Sequence, residues 1–429
     1  MGHETSPEYL TPSSALQVLL VNPPIFDFTA FDFWLLPYGM LRVAGRMKHS
    51  CRIRMFDYLV SRKKDAWGRG PFESARAEKP KALSDIPRRY RRFGRPRSEF
   101  REFLRRHRFD AALIQTMMTY WYPGVREVIE DLRELQPSAK IVIGGVYTTL
   151  CPSHAQSLGA DLVIENDDLA PLWNLLSVEP ETGLPYWPAG YTDTGVLKLT
   201  EGCPFRCTYC SAPRFWQGFS ARPLRECIDE FAQLTASGAK NVAFYDDALL
   251  FKPDQVLIPF LKACETAGRN PVSFHTPNAL NARFVTTDLA ELMVRSGFSS
   301  FFLGLESSVP GWQRETGAKV DNQQFRKAVD ALGKAGASAV VTYVIVGHPD
   351  SEDQEPELAM RFAHSCGTRI LLSEYSPVPG TPDALKCGPW ADLNEPLSHN
   401  KTAFAIRRLG PDYLNRLKDL CRSLNAELV

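Results

Sequence analysis

Three cysteines are grouped in the middle of the chain, at spacings that suit a metal site. Cys203, Cys207 and Cys210 follow a short apolar segment, and Gly202 and Pro204 flank the first of them. Thiolates that share one loop can hold three irons of a cubane iron–sulfur cluster. The fourth iron can then take a substrate or cofactor, since catalytic metals generally keep one open position. The spacing therefore indicates an iron–sulfur site that performs chemistry.

Zinc is the main alternative metal for these thiolates. Structural zinc usually needs four protein ligands. No His or Cys follows within 15 residues of Cys210, and the next cysteine is Cys227, in a segment with helical spacing. Three cysteines of a hydrophobic core are disfavoured too, because Gly202, Pro204 and Arg206 are typical of a polar loop.

Polar residues follow the later apolar segments in a similar way. They are Asp246 and Asp247, Glu306 and Ser307, and Gly347 after Val346. A side chain at the carboxyl end of a barrel strand lies on the catalytic face, and a carboxylate there can accept hydrogen bonds from an ammonium group. The structural alternatives are a helix N-cap for Asp247 and a salt bridge inside the barrel for Glu306.

The elements that position these residues alternate between strand and helix from Val196 onwards. Roughly six such units fit into residues 193–395, which is too few for an eight-stranded barrel. The pattern predicts a partial (β/α)6 TIM-type barrel, followed by a helical C-terminal tail over 396–429.

The N-terminal half has its own strand–helix alternation. Apolar segments at 16–22, 51–57, 111–115, 140–143 and 162–164 predict an α/β domain over 15–170 with a doubly wound, Rossmann- or flavodoxin-like parallel sheet. An N-terminal extension, 1–14, precedes it, and a Pro-, Gly- and Trp-rich linker, 171–192, follows it. Ligands of such sheets bind beyond the carboxyl ends of the strands, so the predicted rim comprises 22–24, 116–122 and 144–149.

Charge is unevenly distributed although the net charge is only +1. Residues 61–108 form a basic insertion with 17 Lys and Arg against 6 Asp and Glu, a balance of +11. Interleaved arginines and aromatics can bind phosphates and bases, so the insertion suits an anionic substrate or nucleic acid. The alternative is a solvated insertion, because no nucleic-acid-binding motif accompanies it.

The remaining composition favours a cytoplasmic enzyme. No apolar run reaches the 18 residues of a membrane span. The seven other cysteines are scattered singly along the chain, unlike a disulfide framework.

The CxxxCxxC motif after the first strand of a partial barrel resembles that of the radical S-adenosylmethionine superfamily. The resemblance implies a [4Fe–4S] cluster on Cys203, Cys207 and Cys210, whose open iron binds S-adenosylmethionine. Reductive cleavage of that molecule then gives a 5′-deoxyadenosyl radical. The other implied contacts are Tyr209 and Val346–Gly347 with the adenine, Asp246 and Asp247 with the amino group, and Glu306 and Ser307 with the ribose or carboxylate. The superfamily's common Gly-Gly-Glu is replaced here by Asp246-Asp247.

The segment LLVNPP at 19–24, the Gly-Gly pair at 144–145 and the barrel together resemble the cobalamin-binding branch of this superfamily, over nearly all of 15–395. This resemblance implies that Asn22, Tyr120, Gly144 and Gly145 face a corrin ring, with ordinary turn chemistry as the alternative for each. The DxHxxG motif, which supplies a histidine to cobalt, is absent. Some members of the branch bind cobalamin without methylating, and others have lost it.

Three functions follow from these motifs. The first is cobalamin-dependent C-methylation by a radical enzyme with a low-potential flavodoxin or ferredoxin as electron donor. The second is a cobalamin-independent radical rearrangement or cyclisation. Sulfur insertion is disfavoured because it needs three more grouped cysteines. The third, a non-catalytic iron–sulfur electron carrier or sensor, would normally use four cysteines.

Overall fold

A computed structural model describes residues 15–188, 190–191, 193–266 and 272–428. These residues form two compact units. The first comprises the described residues up to Asp193 together with Asn394–Leu397, and the second comprises Thr194–Leu393 and the residues from Ser398 onwards. The predicted extension 1–14 lies outside the described residues, and the predicted boundaries 15–170, 171–192, 193–395 and 396–429 stay predictions.

The first unit is built on a five-stranded parallel sheet. Its strands in chain order are Leu16–Asn22, Cys51–Asp57, Ala111–Thr116, Lys140–Gly145 and Leu162–Ile164. In space the first strand lies between the second and the third, which gives the order 2-1-3-4-5. This is the flavodoxin-like order, whose ligand crevice opens between the first and third strands. The doubly wound parallel sheet predicted from the sequence is therefore confirmed.

Helices cover the sheet of the first unit because its strands are apolar on both faces. The helices are Tyr38–Gly45, Arg97–Arg106, Tyr122–Leu135, Val146–Leu150, Pro152–Gln156 and Ala170–Leu176. The last of these contributes Leu172, Trp173 and Leu176 to the core around Val18 and Leu113. The residues just after 170 thus pack as part of this unit.

The basic insertion folds onto the first unit. Ser74–Arg76 and Arg91–Phe93 pair with Ile25–Asp27 in a three-stranded antiparallel sheet, and Phe31–Asp32 pairs with Gly70–Pro71.

Several arginines of the insertion bind acidic residues of the helix Tyr122–Leu135. Arg92 makes a bidentate contact with Glu127, with a shortest distance of 2.7 Å. Arg97 donates to the buried Asp131 at 2.9 Å. Arg101 reaches the same carboxylate. Part of the positive charge that the sequence concentrates in 61–108 is therefore neutralised within this unit.

The second unit is built on six parallel strands whose order in space follows the order in the chain. They are Thr194–Leu197, Asn241–Phe244, Ser273–His275, Phe298–Glu306, Val340–Val346 and Arg369–Glu374. The helices of this unit are Ala212–Phe215, Leu224–Ala236, Leu257–Thr266, Thr287–Arg295, Pro310–Glu315, Asn322–Lys334, Glu355–Ser365, Lys401–Leu409 and Pro411–Ala426. The predicted partial (β/α)6 barrel is confirmed.

Short 3-10 helices lie at Lys81–Leu83, Thr119–Trp121, Pro253–Gln255, Ala282–Phe284, Asp383–Lys386 and Pro396–His399. Among all the described helices, none is both long and apolar enough to cross a membrane.

Candidate active site

The three grouped cysteines lie on one loop after the first barrel strand. A two-stranded hairpin of Thr200–Glu201 and Ser220–Ala221 closes the base of this loop. Gly202 has a φ of +73°, and a Cβ on it would lie 1.9 Å from the carbonyl oxygen of Gly218. Only glycine fits such a close backbone approach. The chain therefore leaves the barrel strand through a constrained turn directly before Cys203.

The thiols of this loop are free, half-buried and close enough to interact electrostatically. Burial raises the pKa of Cys210 to about 11, the backbone N–H of Ala212 opposes the rise, and Cys207 and Cys203 add to it. Burial likewise raises the pKa of Cys203, with a further contribution from Cys207. Because the unliganded thiols resist ionisation, bound iron would have to stabilise the thiolates.

The arrangement does not resemble a mononuclear metal centre. Within the described ranges, no three His, Cys, Asp or Glu side chains surround one metal-ion position. A cubane cluster makes a different demand, because each cysteine binds a different iron. Three thiols on one loop match the number of cysteine ligands that such a cluster with one open iron needs.

Thr208 lies between the second and third cysteines. It connects the cysteine loop to the segment that follows the sixth barrel strand. Its hydroxyl donates to Asp383 Oδ2 at 2.5 Å, and its carbonyl accepts from the backbone N–H of Asp383. His348 Nε2 donates to the same carboxylate at 2.9 Å, since His348 Nδ1 accepts from Trp312 at 3.3 Å. Although burial opposes it, hydrogen bonds from His348, Thr208 and Lys386 lower the pKa of Asp383 to about 2. This buried network fixes the position of the cysteine loop.

Tyr209 packs into the same network. Its ring is stacked on Trp312, with centroids 5.7 Å apart, and meets His348 edge-on. Burial raises the pKa of Tyr209, so the phenol is neutral. The side chain is thereby held against Trp312 and His348, near Cys207.

The two adjacent aspartates have different surroundings. Asp246 Oδ1 accepts hydrogen bonds from the backbone N–H groups of Leu199 and Thr200, at 2.9 and 2.6 Å, and from the Thr200 hydroxyl at 2.6 Å. Asp247 is paired with Lys198 at 3.8 Å. Its charge raises the pKa of Cys203, so its carboxylate lies near the thiols. Asp246 thus anchors the stem of the cysteine loop, while Asp247, which pairs with Lys198, lies near Cys203.

The ionisation of Asp246 gives a testable pH dependence. Burial raises its pKa to about 6 from an ordinary 3.8, although Thr200 and Lys198 oppose the rise. A carboxyl group with a raised pKa stabilises the fold fully below its unfolded pKa, and this contribution is lost as pH rises through the folded value. We expect the free energy of unfolding of the apoprotein to fall by up to about 3 kcal/mol between about pH 4 and pH 7 because of this group.

Asp246→Asn should remove that part of the pH dependence in chemical denaturation, because the amide keeps Oδ1 and does not titrate. Asp330→Asn, on an exposed position of the helix Asn322–Lys334, is the matched control and should leave the pH profile unchanged. Equal profiles for wild type and Asp246→Asn would contradict the expectation.

The fourth barrel strand ends in a strained, buried acidic residue. Glu306 has a φ of +66°, in the left-handed region that non-glycine residues rarely adopt. A register irregularity between Gly304 and Glu306 accompanies it. Glu306 pairs with Lys319 Nζ at 3.4 Å, so the structural alternative for Glu306, a salt bridge, is present. Ser307, also buried, accepts from Val309 N through its hydroxyl.

Val346 and Gly347 end the fifth strand in the interior of the second unit. Val346 is fully buried. Gly347 has a φ of +81°, and a Cβ on it would lie 3.3 Å from the Cα of Ala405. The backbone at this position is therefore pressed against the helix Lys401–Leu409.

A cleft opens in the first unit between its first and third strands, where the flavodoxin-like order predicts a ligand. It is lined by Asn22, Pro23, Pro24, Ile25, Leu59, Gln115, Thr116, Met117, Met118, Trp121, Tyr122, Val125 and Tyr147. Of the four predicted rim residues, Asn22 belongs to this lining, whereas Tyr120, Gly144 and Gly145 do not. No histidine is among these described lining residues, in keeping with the missing DxHxxG motif.

Gly145 nevertheless shapes the cleft. Its φ is +127°, and a Cβ on it would lie 2.2 Å from the carbonyl oxygen of Thr116, a lining residue. Gly144 accepts a hydrogen bond from the Thr116 hydroxyl at 3.1 Å. The Gly-Gly pair therefore brings two strand ends together under the cleft, which suits the close approach of a large ligand to backbone.

Sequence reasoning missed several residues of both sites. Lys319, His348 and Asp383 approach the cysteine loop from segments far away in the chain. In the first unit, Tyr147 donates or accepts a hydrogen bond with His154 at 2.5 Å. In the cleft lining, Leu59, Gln115 and Val125 lie outside the predicted rim, whereas Met117, Met118 and Tyr147 lie within its ranges 116–122 and 144–149.

The fold of this chain is shared with solved cobalamin-dependent radical enzymes. The radical S-adenosylmethionine methyltransferase TsrM from Kitasatospora setae, solved with tryptophan substrate and an S-adenosylmethionine analog, aligns over 97% of this chain and 89% of that chain, with a TM-score of 0.68 and 13% identity. OxsB, a cobalamin-dependent S-adenosylmethionine radical enzyme solved with aqua-cobalamin and S-adenosylmethionine, aligns over 96% and 61%, with a TM-score of 0.58 and 11% identity. At these identities the likeness concerns the fold.

Two family models match parts of the chain, one in each unit. Residues 197–363 match the radical SAM superfamily, and residues 89–171 match the B12 binding domain. The chain therefore contains a radical SAM domain, with a B12-binding domain in its N-terminal part, and the predicted family resemblance is confirmed.

Curated relatives are distant in sequence. A threonylcarbamoyladenosine tRNA methylthiotransferase of Thermotoga maritima is 24% identical over 60% of this chain and 64% of its own length. An uncharacterized methyltransferase of Pyrococcus horikoshii is 25% identical over 51% of this chain and 46% of its own length. The chain thus spans less than two thirds of the length of these relatives.

Proposed function

We propose that this protein reductively cleaves S-adenosylmethionine at a [4Fe–4S] cluster held by Cys203, Cys207 and Cys210, and uses the resulting 5′-deoxyadenosyl radical for cobalamin-dependent C-methylation. The observation that carries the proposal is the group of three interacting thiols on the loop after the first barrel strand. The match of this segment to the radical SAM superfamily supports it.

The chain's own residues would hold the cluster in place. When bound, the cluster would supply the electron that breaks a sulfonium C–S bond of S-adenosylmethionine. Thr208 and Asp383 fix the middle of the cysteine loop, and Asp246 fixes its stem. Such anchoring matters because a catalytic site is effective only when its ligands are preorganised.

We assign the contacts with S-adenosylmethionine to residues around the cysteine loop. Asp247 would accept hydrogen bonds from the amino group, because its carboxylate lies near the thiols and is not tied to the backbone in the way that Asp246 is. Glu306 and Ser307 would face the ribose or carboxylate. Tyr209 and the backbone at Val346–Gly347 would bound the adenine.

Cobalamin is assigned to the cleft of the first unit, where it would carry the methyl group. Asn22 lines the cleft, and the Gly144–Gly145 pair shapes its floor through Thr116. Tyr120 would contribute from the same loop region. The match of 89–171 to the B12 binding domain and the largely apolar lining support this assignment.

Other properties are inferred from the same resemblance. A low-potential flavodoxin or ferredoxin would deliver the electron, since radical SAM chemistry needs a reductant. The substrate is an unidentified molecule for which the remaining arginines of the insertion favour an anionic group, nucleic acid included. The singly scattered cysteines favour a reducing, cytoplasmic location.

The experiment that tests the proposal is anaerobic purification from cells supplied with cobalamin, with iron, sulfide and cobalt measured in the same sample. We expect about four irons and about one cobalt per chain. The sample is then incubated with methyl-labelled S-adenosylmethionine and a reductant. The 5′-deoxyadenosine is quantified, and label transferred to the bound cobalamin is measured separately.

The outcomes separate the alternatives. About four irons without cobalt would favour a cobalamin-independent radical enzyme. Iron without any 5′-deoxyadenosine would favour an electron carrier or sensor. A protein that takes up no iron under these conditions would refute the proposal.

A further inference from the structure

Lys319 lies on a loop that is pressed against the cysteine loop. The carbonyl of Thr316 accepts a hydrogen bond from the backbone N–H of Thr208 at 3.2 Å. Gly317 has a φ of +120°, and a Cβ on it would lie 3.0 Å from the Cα of Cys207. Two backbone contacts therefore fix the segment before Lys319 relative to the second cysteine.

The barrel strand on the other side is shaped around the same lysine. Glu306 pairs with Lys319, and its backbone is in the left-handed region. A Cβ on Gly304 would lie 2.5 Å from Lys319 Nζ and 2.6 Å from Glu306 Oε1. Backbone strain of this kind costs on the order of 1–3 kcal/mol and persists only where the surroundings enforce it. Gly304 thus leaves room for this ion pair, at a point where the strand also has a register irregularity and a strained residue.

Lys319 is a cation in this environment. Burial would lower its pKa, but the Glu306 carboxylate and the thiols of Cys207 and Cys210 outweigh burial and raise it. The influence is mutual, because Lys319 opposes the burial-induced rise in the pKa of Cys203 and Cys207. Its charge therefore acts on all three thiols of the loop.

We infer that Lys319 sets the reduction potential of the cluster, with Glu306 as the opposing charge, an inference that rests on the proposed function. Three thiolates make the site strongly negative, and reduction adds one electron from the donor without forming or breaking a bond in the chain. A nearby fixed cation stabilises the reduced state more than the oxidised state, while a nearby carboxylate does the reverse. Lys319 is accordingly a tuning residue.

The test is the midpoint potential of the cluster in the full-length protein, measured by redox titration with dithionite and EPR detection. S-adenosylmethionine is left out, so that any role of Lys319 in binding it does not enter. Lys319→Met should make the equilibrium constant for reduction of the cluster about tenfold smaller. For a one-electron couple this lowers the midpoint potential by about 59 mV. Glu306→Gln should raise it. Lys319→Arg should stay close to wild type because the charge is kept.

Midpoint potentials that shift in opposite directions in Lys319→Met and Glu306→Gln indicate an effect of charge. A structural defect at the cluster would shift both midpoint potentials in the same direction. Lys334→Met, which removes an exposed lysine, is the control and should cause no shift. Shifts of the same sign, or no shift, in a protein that carries its full iron content overturn the inference alone. A wild-type protein without iron overturns the proposed function and this inference together. If Lys319→Met takes up no iron, the Glu306→Gln variant decides: a higher midpoint potential supports the inference, and a lower or unchanged midpoint potential overturns it.

Discussion

Replacing Cys203, Cys207 and Cys210 together with alanine is expected to abolish both iron binding and 5′-deoxyadenosine formation. The reason is that no other thiol lies in this loop, and iron–sulfur clusters are held mainly by cysteine thiolates. Iron should fall from about four per chain to a background level. The measurements are iron and sulfide analysis, absorbance of the cluster and chromatography of the cleavage product.

Cys264→Ala is the matched control, because Cys264 is a free, half-buried thiol on the helix Leu257–Thr266. It should keep wild-type iron content and cleavage. Residual 5′-deoxyadenosine in the triple variant, above that of a reaction without protein, would contradict the assignment of the cluster.

Gly145→Ala is expected to lower cobalamin affinity at least tenfold and to leave the iron content of the second unit unchanged. The added Cβ would collide with the Thr116 carbonyl, and alanine is strained at a φ of +127°. Thr116 would have to move, and it lines the proposed cobalamin cleft. Cobalamin binding can be followed by absorbance titration, and iron content by chemical analysis of the same sample.

Gly159→Ala separates the collision with Thr116 from the backbone strain of alanine at a positive φ as the cause of the lost affinity. Gly159 also has a positive φ, +83°, but nothing lies within 4 Å of its added Cβ. It should lose some stability from backbone strain while keeping cobalamin affinity. Equal losses of affinity in both variants would attribute the effect to general destabilisation, and no loss in Gly145→Ala would argue against the cleft as the binding site.

The parts of this structure that depend on local sequence were predictable. Apolar strands such as Leu16–Asn22 and the closely spaced cysteines carry their signals within a few residues, because a strand or a metal loop is a local pattern. The number and order of barrel strands followed from the same signals. The acidic residues Glu127, Asp131 and Glu134 also follow a helical spacing, and that spacing could have predicted a partner for the basic insertion.

The parts that depend on long-range contacts were not predictable. Asp246 and Asp247 are identical in chemistry and adjacent in sequence, and only the fold directs one towards Thr200 and the other towards the cysteines. Lys319 stands alone in a loop without any motif. Its role depends on two backbone contacts and on the left-handed geometry of Glu306, and neither can be deduced from residue type.

The hydrogen bond between Thr208 and Asp383 joins residues that are 175 positions apart. During synthesis the three cysteines emerge from the ribosome long before this partner exists. The cysteine loop therefore gains its last anchor only after the sixth barrel strand has been made. We therefore expect the proposed cluster to be held stably only after the chain has been made as far as Asp383. A chain truncated before Asp383 would present all three cysteines without this hydrogen bond.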